Sequence, residues 1–131
     1  MARKITTPDK KEEVEAYIDN VKLKSERDRQ SDKKISGVFT GSYALHPFTN
    51  QKIEIWIADY VLANYGTGAV MAVPCGDQRD WDFAQHFGID IINIFQDVDV
   101  SKAANEDKSA VIASSDFLNG LALGFIHRVQ N

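Results

Sequence analysis

The apolar positions Val14, Tyr17, Ile18 and Val21 recur at i, i+3, i+4 and i+7, which places them on one narrow stripe of a helix. Thr7 precedes Pro8, and proline suits the first helical position because no amide donor is needed there. Thr7 is therefore the predicted N-cap. Asp9, Glu12 and Glu13 lie toward the positive end of this helix, and Lys22, Lys24 and Arg27 toward its negative end. Most of the remaining positions are charged. The pattern predicts a surface helix over 7–29, followed by a polar connector over 30–34.

The period then changes. Residues 38–44 and 53–58 are short β-prone runs on either side of the turn-rich stretch His46-Pro47-Phe48-Thr49-Asn50-Gln51. Ile53, Ile55 and Ile57 alternate with Glu54, Trp56 and Ala58, the period of a strand with one core face. An antiparallel pair is expected. Residues 69–73 are a continuous apolar run and predict a buried strand, stopped by Pro74. Asp77 is expected to cap a helix that buries Phe83, Ala84 and Phe87 and stops at Gly88. Beyond it, 89–95 predicts a strand, 96–108 a polar loop, and 111–113 a short strand before a turn at Asn119-Gly120. Residues 121–129 read as a helical start.

Composition narrows the class. The chain has 131 residues, 15 basic and 19 acidic side chains, and a formal net charge of −4. With 44% hydrophobic and 26% charged residues, it reads as one soluble globular domain. No apolar run approaches the roughly 18 residues of a membrane helix, so no membrane partner is expected. Met1-Ala2-Arg3-Lys4 is basic but no apolar stretch follows it, so no secretory signal is expected. One cysteine cannot build a disulfide framework and points to a reducing, cytoplasmic compartment. Mild acidity argues against a free-standing nucleic-acid binder, though not against an acidic module of a larger RNA-binding protein. The cluster Lys22, Lys24, Arg27, Arg29, Lys33 and Lys34 is interleaved with acids and reads as a solvated face. His46, His86 and His127 lack ligand spacing with carboxylates, so no metal is expected.

The candidate chemistry lies between Tyr65 and Asp80: a glycine-bearing loop, an apolar run, a tight turn and an acidic helix start. Gly66-Thr67-Gly68 lacks both the lysine of a P-loop and the third glycine of a dinucleotide fingerprint. Asp77 and Asp80 are three apart and share a helix face, where they either hold a cationic group or cap the helix. Cys75 reads as a small buried hydrophobe rather than a nucleophile. Trp56 and Trp81 read as core or partner-facing rather than base-stacking.

As an ordered string, Gly66-Thr67-Gly68-Ala69-Val70-Met71-Ala72-Val73-Pro74, followed by Asp77-Gln78-Arg79-Asp80 and Trp81-Asp82-Phe83-Ala84, resembles the editing-domain signature of leucyl-tRNA synthetases. Phe39-Thr40-Gly41 with His46-Pro47, Ile53-Glu54-Ile55-Trp56-Ile57-Ala58 and Phe117-Leu118-Asn119-Gly120-Leu121 fall in that family's order. The family commonly has His just before the first aspartate; here the residue is Gly76.

The resemblance implies a mixed α/β fold: a mainly antiparallel, barrel-like sheet with peripheral helices. It makes residues 1–131 one editing-domain fragment, with the helix over 7–29, barrel strands within 35–95 around a helix over 77–87, and a polar loop and C-terminal elements over 96–131. It implies hydrolysis of the ester of mischarged tRNA-Leu, within an enzyme that ligates leucine to tRNA-Leu using ATP. The domain itself would need no cofactor. Its partners would be the acceptor end of tRNA-Leu and the rest of the parent synthetase. By the same resemblance, Asp80 is the catalytic carboxylate, acting as the anchor of the α-ammonium, and Asp77 supports it. Arg79 orients these carboxylates or contacts the tRNA end, while Tyr65, Met71 and Val73 line the amino-acid pocket. Two other readings stay open: a non-catalytic binding or scaffold module whose aspartates only cap a helix, and an editing domain of the isoleucyl or valyl branch. The family also has a threonine-rich segment that helps form the site and should precede the first helix. Thr6-Thr7 is too short to be that segment, so the chain is expected to be truncated at its N-terminus and to lack part of the pocket.

Overall fold

The computed structural model describes residues 1–24, 34–61 and 68–123. The chain is mixed α/β and divides into two compact units, Met1–Val70 and Met71–Asn131. In the first unit, α1 (Ala2–Ile5) leads through a 3₁₀ turn, Pro8–Lys10, into α2 (Lys11–Lys22). The predicted helix over 7–29 is thus shorter within the described residues: its regular part ends at Lys22, and residues 25–29 lie outside them. Pro8 sits at the first position as expected, but Thr7 does not cap with its side chain. Its hydroxyl donates instead to the Thr40 carbonyl at 3.3 Å, alongside its own amide at 2.9 Å. The hydroxyl donates to a tertiary carbonyl and accepts no amide of its own helix start.

The apolar stripe of α2 packs against β1 (Gly37–Leu45), and Val14 is almost completely buried there. Burial of that side chain is worth about 1.5–3 kcal/mol. β1 pairs antiparallel with β2 (Lys52–Ala58), from Gly37 opposite Ala58 to Leu45 opposite Lys52. The register shifts between Phe39 and Tyr43. At this bulge Gly41 takes a φ of +79°, a left-handed conformation that glycine adopts without steric cost. Thr40, fully buried, donates its hydroxyl to the Ile55 carbonyl at 2.7 Å and accepts from the Ser42 amide at 3.2 Å. Ser42 in turn donates to the Ile5 carbonyl. The bulge therefore anchors the N-terminal segment to the sheet.

His46 is consumed by the hairpin turn: its Nδ1 accepts from the amides of Phe48 and Thr49. The buried Asp59 carboxylate meets the Lys24 ammonium at 3.5 Å, and Lys22 meets Asp19 at 3.4 Å. These lysines thus face acids, as the interleaved pattern implied. The barrel-like sheet expected from the resemblance is represented, among the described residues, by this one two-stranded hairpin.

The second unit is built around α3 (Gln78–Phe87). Phe83 and Ala84 are buried, and Gly88 closes the helix at φ 67°. Cys75, Phe95 and Val100 form a small core, with Ile91, Ile94, Val98, Ala110 and Leu123 packed on it. Three predicted strands are corrected here. Residues 69–73 are irregular and exposed, with Met71 62% and Val73 44% accessible, and they join no strand ladder among the described residues. Among the described residues, 89–95 pair only at Phe95, in a single bridge to Ile112. Residues 111–113 reduce to that bridge and one from Val111 to Ala122. Apolar runs of this length bury as strands only where a partner strand satisfies their amides; here side chains and turns satisfy several of them. The polar loop over 96–108 and the turn at Asn119-Gly120 are where the pattern placed them. Most of 121–129 lies outside the described residues.

Candidate functional site

Pro74 breaks the apolar run and the chain turns back at once, with the amides of Gly76 and Asp77 both donating to the Val73 carbonyl at 2.9 Å. Asp77 is extended and caps α3: its Oδ1 accepts from the amides of Arg79 at 2.9 Å and Asp80 at 3.1 Å. Two of the donors that every helix start leaves unsatisfied are thereby paired. Asp80, in the first turn, accepts the Val73 amide on Oδ2 at 2.7 Å. Both polar backbone groups of Val73 are thus held by the helix start, while its side chain stays accessible.

The result is a short apolar wall, Met71 to Val73, fastened beside a carboxylate at the positive end of a helix. The expectation that Met71 and Val73 share a face rested on a strand that is not formed. Their common feature is exposure, and Val73 also bonds directly to Asp80. Arg79 is exposed on the same turn. Tyr65, the other expected pocket residue, lies outside the described residues. The two aspartates therefore differ in kind. Asp77 is a cap; Asp80 ties the wall.

Cys75 lies under this turn, and burial raises its thiol pKa, so the neutral form is favoured. It is a core side chain, as read from sequence. Gly76 has an ordinary backbone, and a Cβ there would touch Val73 Cγ1 and Phe95 Cζ at 3.6 Å. These are ordinary contact distances, so a Cβ would fit at this position. Among the described residues no group of three or more His, Cys, Asp or Glu side chains could hold a metal ion.

Three features of the site were missed in the sequence. Gln78 bridges the Asp82 carboxylate and the Ala104 amide, Trp81 Nε1 donates to the Val100 carbonyl, and the Asn105 amide donates to the Cys75 carbonyl. The i, i+4 spacing of Gln78 and Asp82 was a readable signal. The loop partners had none.

The chain that builds this geometry matches a known family. The family model described as leucyl-tRNA synthetase, editing domain, matches residues 1–128. The leucine--tRNA ligase of Christiangramia forsetii is 63% identical over 123 residues, covering 92% of this chain and 13% of its own length. That of Flavobacterium johnsoniae is 61% identical over 128 residues, with the same shares, and that of Porphyromonas gingivalis 45% over 130 residues. The chain belongs to the leucyl-tRNA synthetase editing-domain family, which favours the leucyl over the isoleucyl or valyl branch. It spans about 13% of the length of these relatives.

Proposed function

We propose that this chain is the proofreading part of a cytoplasmic leucine--tRNA ligase and hydrolyses the ester linking a wrong amino acid to tRNA-Leu. The need is physical. An apolar synthetic site discriminates by only about 1–3 kcal/mol per methylene, so a second site must remove the errors. One observation carries the reading: the Asp80 carboxylate, held on the Val73 amide, stands beside an accessible apolar wall at the start of α3.

In this reading the α-ammonium of the misattached amino acid sits on Asp80 through a charge-assisted hydrogen bond, and its side chain lies along Met71 and Val73. Tyr65 is a further residue for the amino-acid side chain, as the family resemblance implies, and Arg79 would meet the tRNA end. Water attacks the ester carbonyl carbon, the bond to the ribose oxygen breaks, and that oxygen takes up a proton as the free amino acid leaves. Rate comes from holding ester and water in register, with a ribose hydroxyl of the tRNA assisting. The hairpin β1–β2 would form part of a barrel in the intact enzyme, and ATP would serve only the ligation step elsewhere.

The test is deacylation of mischarged tRNA-Leu by a full-length ligase carrying this sequence. Asp80→Ala should lower that rate by about 100-fold or more, since the reacting ester loses its anchor, while leucylation persists. Undiminished clearance would leave the chain a scaffold whose acidic residues only shape a helix start.

A further inference from the structure

The loop over 96–105 is fastened to the start of α3 at three points, and Gln78 provides the one made by a side-chain acceptor. Its Oε1 accepts the Ala104 amide at 3.0 Å, and its Nε2 donates to Asp82 Oδ1 at 2.8 Å, one turn further along the helix. The partners fix the amide's orientation: a backbone N–H requires the oxygen, and a carboxylate requires the nitrogen. Neither isostere can make both bonds. Methionine has no suitable donor or acceptor, and glutamate would set a like charge against Asp82.

Gln78 also stands between the cap Asp77 and the anchor Asp80. A helix turn held at this residue is fixed in rotation about its axis, and that rotation decides whether Asp80 Oδ2 reaches the Val73 amide 2.7 Å away. The other two ties reinforce the hold: the Trp81 indole N–H on the Val100 carbonyl and the Asn105 amide on the Cys75 carbonyl, each at 2.8 Å. The loop itself is shaped by short Asx contacts, Asp99 to the Ser101 amide and Asn93 to the Val98 carbonyl. It offers Gln78 a fixed partner.

We infer that Gln78 is a positioning residue of the editing site. By bridging Asp82 and Ala104 it holds the first turn of α3 at the rotation that keeps the Asp80 carboxylate on the Val73 amide. The inference rests on the reading of Asp80 as the ammonium anchor, and Gln78 acts through Asp80 rather than on the reactants.

The test uses the full-length ligase carrying this sequence, with Gln78→Met, Gln78→Glu and the double variant Gln78→Glu/Asp82→Asn. In the double variant the new glutamate still accepts from the Ala104 amide, and the new asparagine donates to it, so both bonds return and only the one to position 82 has reversed direction. Deacylation kcat and KM are measured together with hydrogen exchange of the Val73 amide. Gln78→Met and Gln78→Glu should lower kcat about tenfold, because small misplacements of a positioning group are costly. KM should stay within about threefold, because contacts to the tRNA backbone dominate binding. Val73 exchange should quicken in both, and the double variant should recover kcat to within about threefold of the parent. A clasp that served stability alone would leave kcat of the folded enzyme unchanged. An unchanged kcat in Gln78→Met, or no recovery in the double variant, overturns the inference. Asp80→Asn is run alongside. If it deacylates like the parent, the editing reading falls, and Val73 exchange alone then decides whether Gln78 sets the turn.

Discussion

Replacing Asp77 separates its two possible roles, because Asp77→Ala and Asp77→Asn remove different things. In the structure its Oδ1 accepts two amides, from Arg79 at 2.9 Å and Asp80 at 3.1 Å. Alanine removes both bonds, and loss of an N-cap costs about 1 kcal/mol. It also removes a negative charge from the positive end of α3, worth about 0.3–1 kcal/mol at an exposed site. The total for Asp77→Ala is about 1–2 kcal/mol. Asparagine caps as well as aspartate does, so Asp77→Asn loses only the charge contribution, about 0.3–1 kcal/mol. At about 4 °C per kcal/mol for a chain of this length, the expected drops in Tm are ~4–8 °C and ~1–4 °C. Thermal unfolding reads the difference, and amide exchange over 78–88 locates it in α3. The first turn carries Asp80, so deacylation should follow the same order, with Asp77→Asn close to the parent. Equal Tm losses for the two variants would mean that charge rather than the cap matters, and would refute the assignment.

Two further outcomes follow from the packing. Gly41→Ala should cost about 2–5 kcal/mol in urea unfolding, from left-handed strain plus overpacking. Its new Cβ would fall 1.9 Å from the Thr7 hydroxyl oxygen at φ +79°. Adding Thr7→Gly should recover the overpacking part but not the strain; full recovery would show that backbone strain is absent. Cys75 should alkylate at pH 8 far more slowly in the native chain than in urea, because burial holds its thiol pKa above the ordinary value. A folded-state pKa raised in this way contributes stability that is present below the unfolded-state pKa and lost as pH rises through the folded value. Stability should therefore decline on the alkaline side, and Cys75→Ala should lessen that decline. Rapid native alkylation would contradict the burial.

Much of the local structure was legible because it depends on neighbours in sequence. The stripe of Val14, Tyr17, Ile18 and Val21, the alternation of Ile53, Ile55 and Ile57, and the Asp77 cap with its Gly88 stop each rest on contacts within a few residues. The role of Cys75 was legible for a related reason: it followed from what a lone cysteine usually does. The failures share one cause. Residues 69–73 and 89–95 are apolar enough for strands, but a strand also requires a partner for its amides, and no periodicity in the run itself reports one. Thr7 failed in the same way, since its hydroxyl preferred the Thr40 carbonyl, 33 residues away, to its own helix.

The site divides along that line. The order of Met71, Val73, Asp77, Arg79 and Asp80 was enough to indicate the family. It could not separate the two aspartates, because three-residue spacing puts both on one face whatever each binds. The tertiary structure separates them: the turn at Pro74 carries the Val73 amide back to Asp80, while Asp77 closes on the helix it begins. It also supplies the Gln78 bridge to a loop 26 residues away. Local propensity and pattern are properties of the chain in order. Which distant donor reaches which acceptor is a property of the folded path alone.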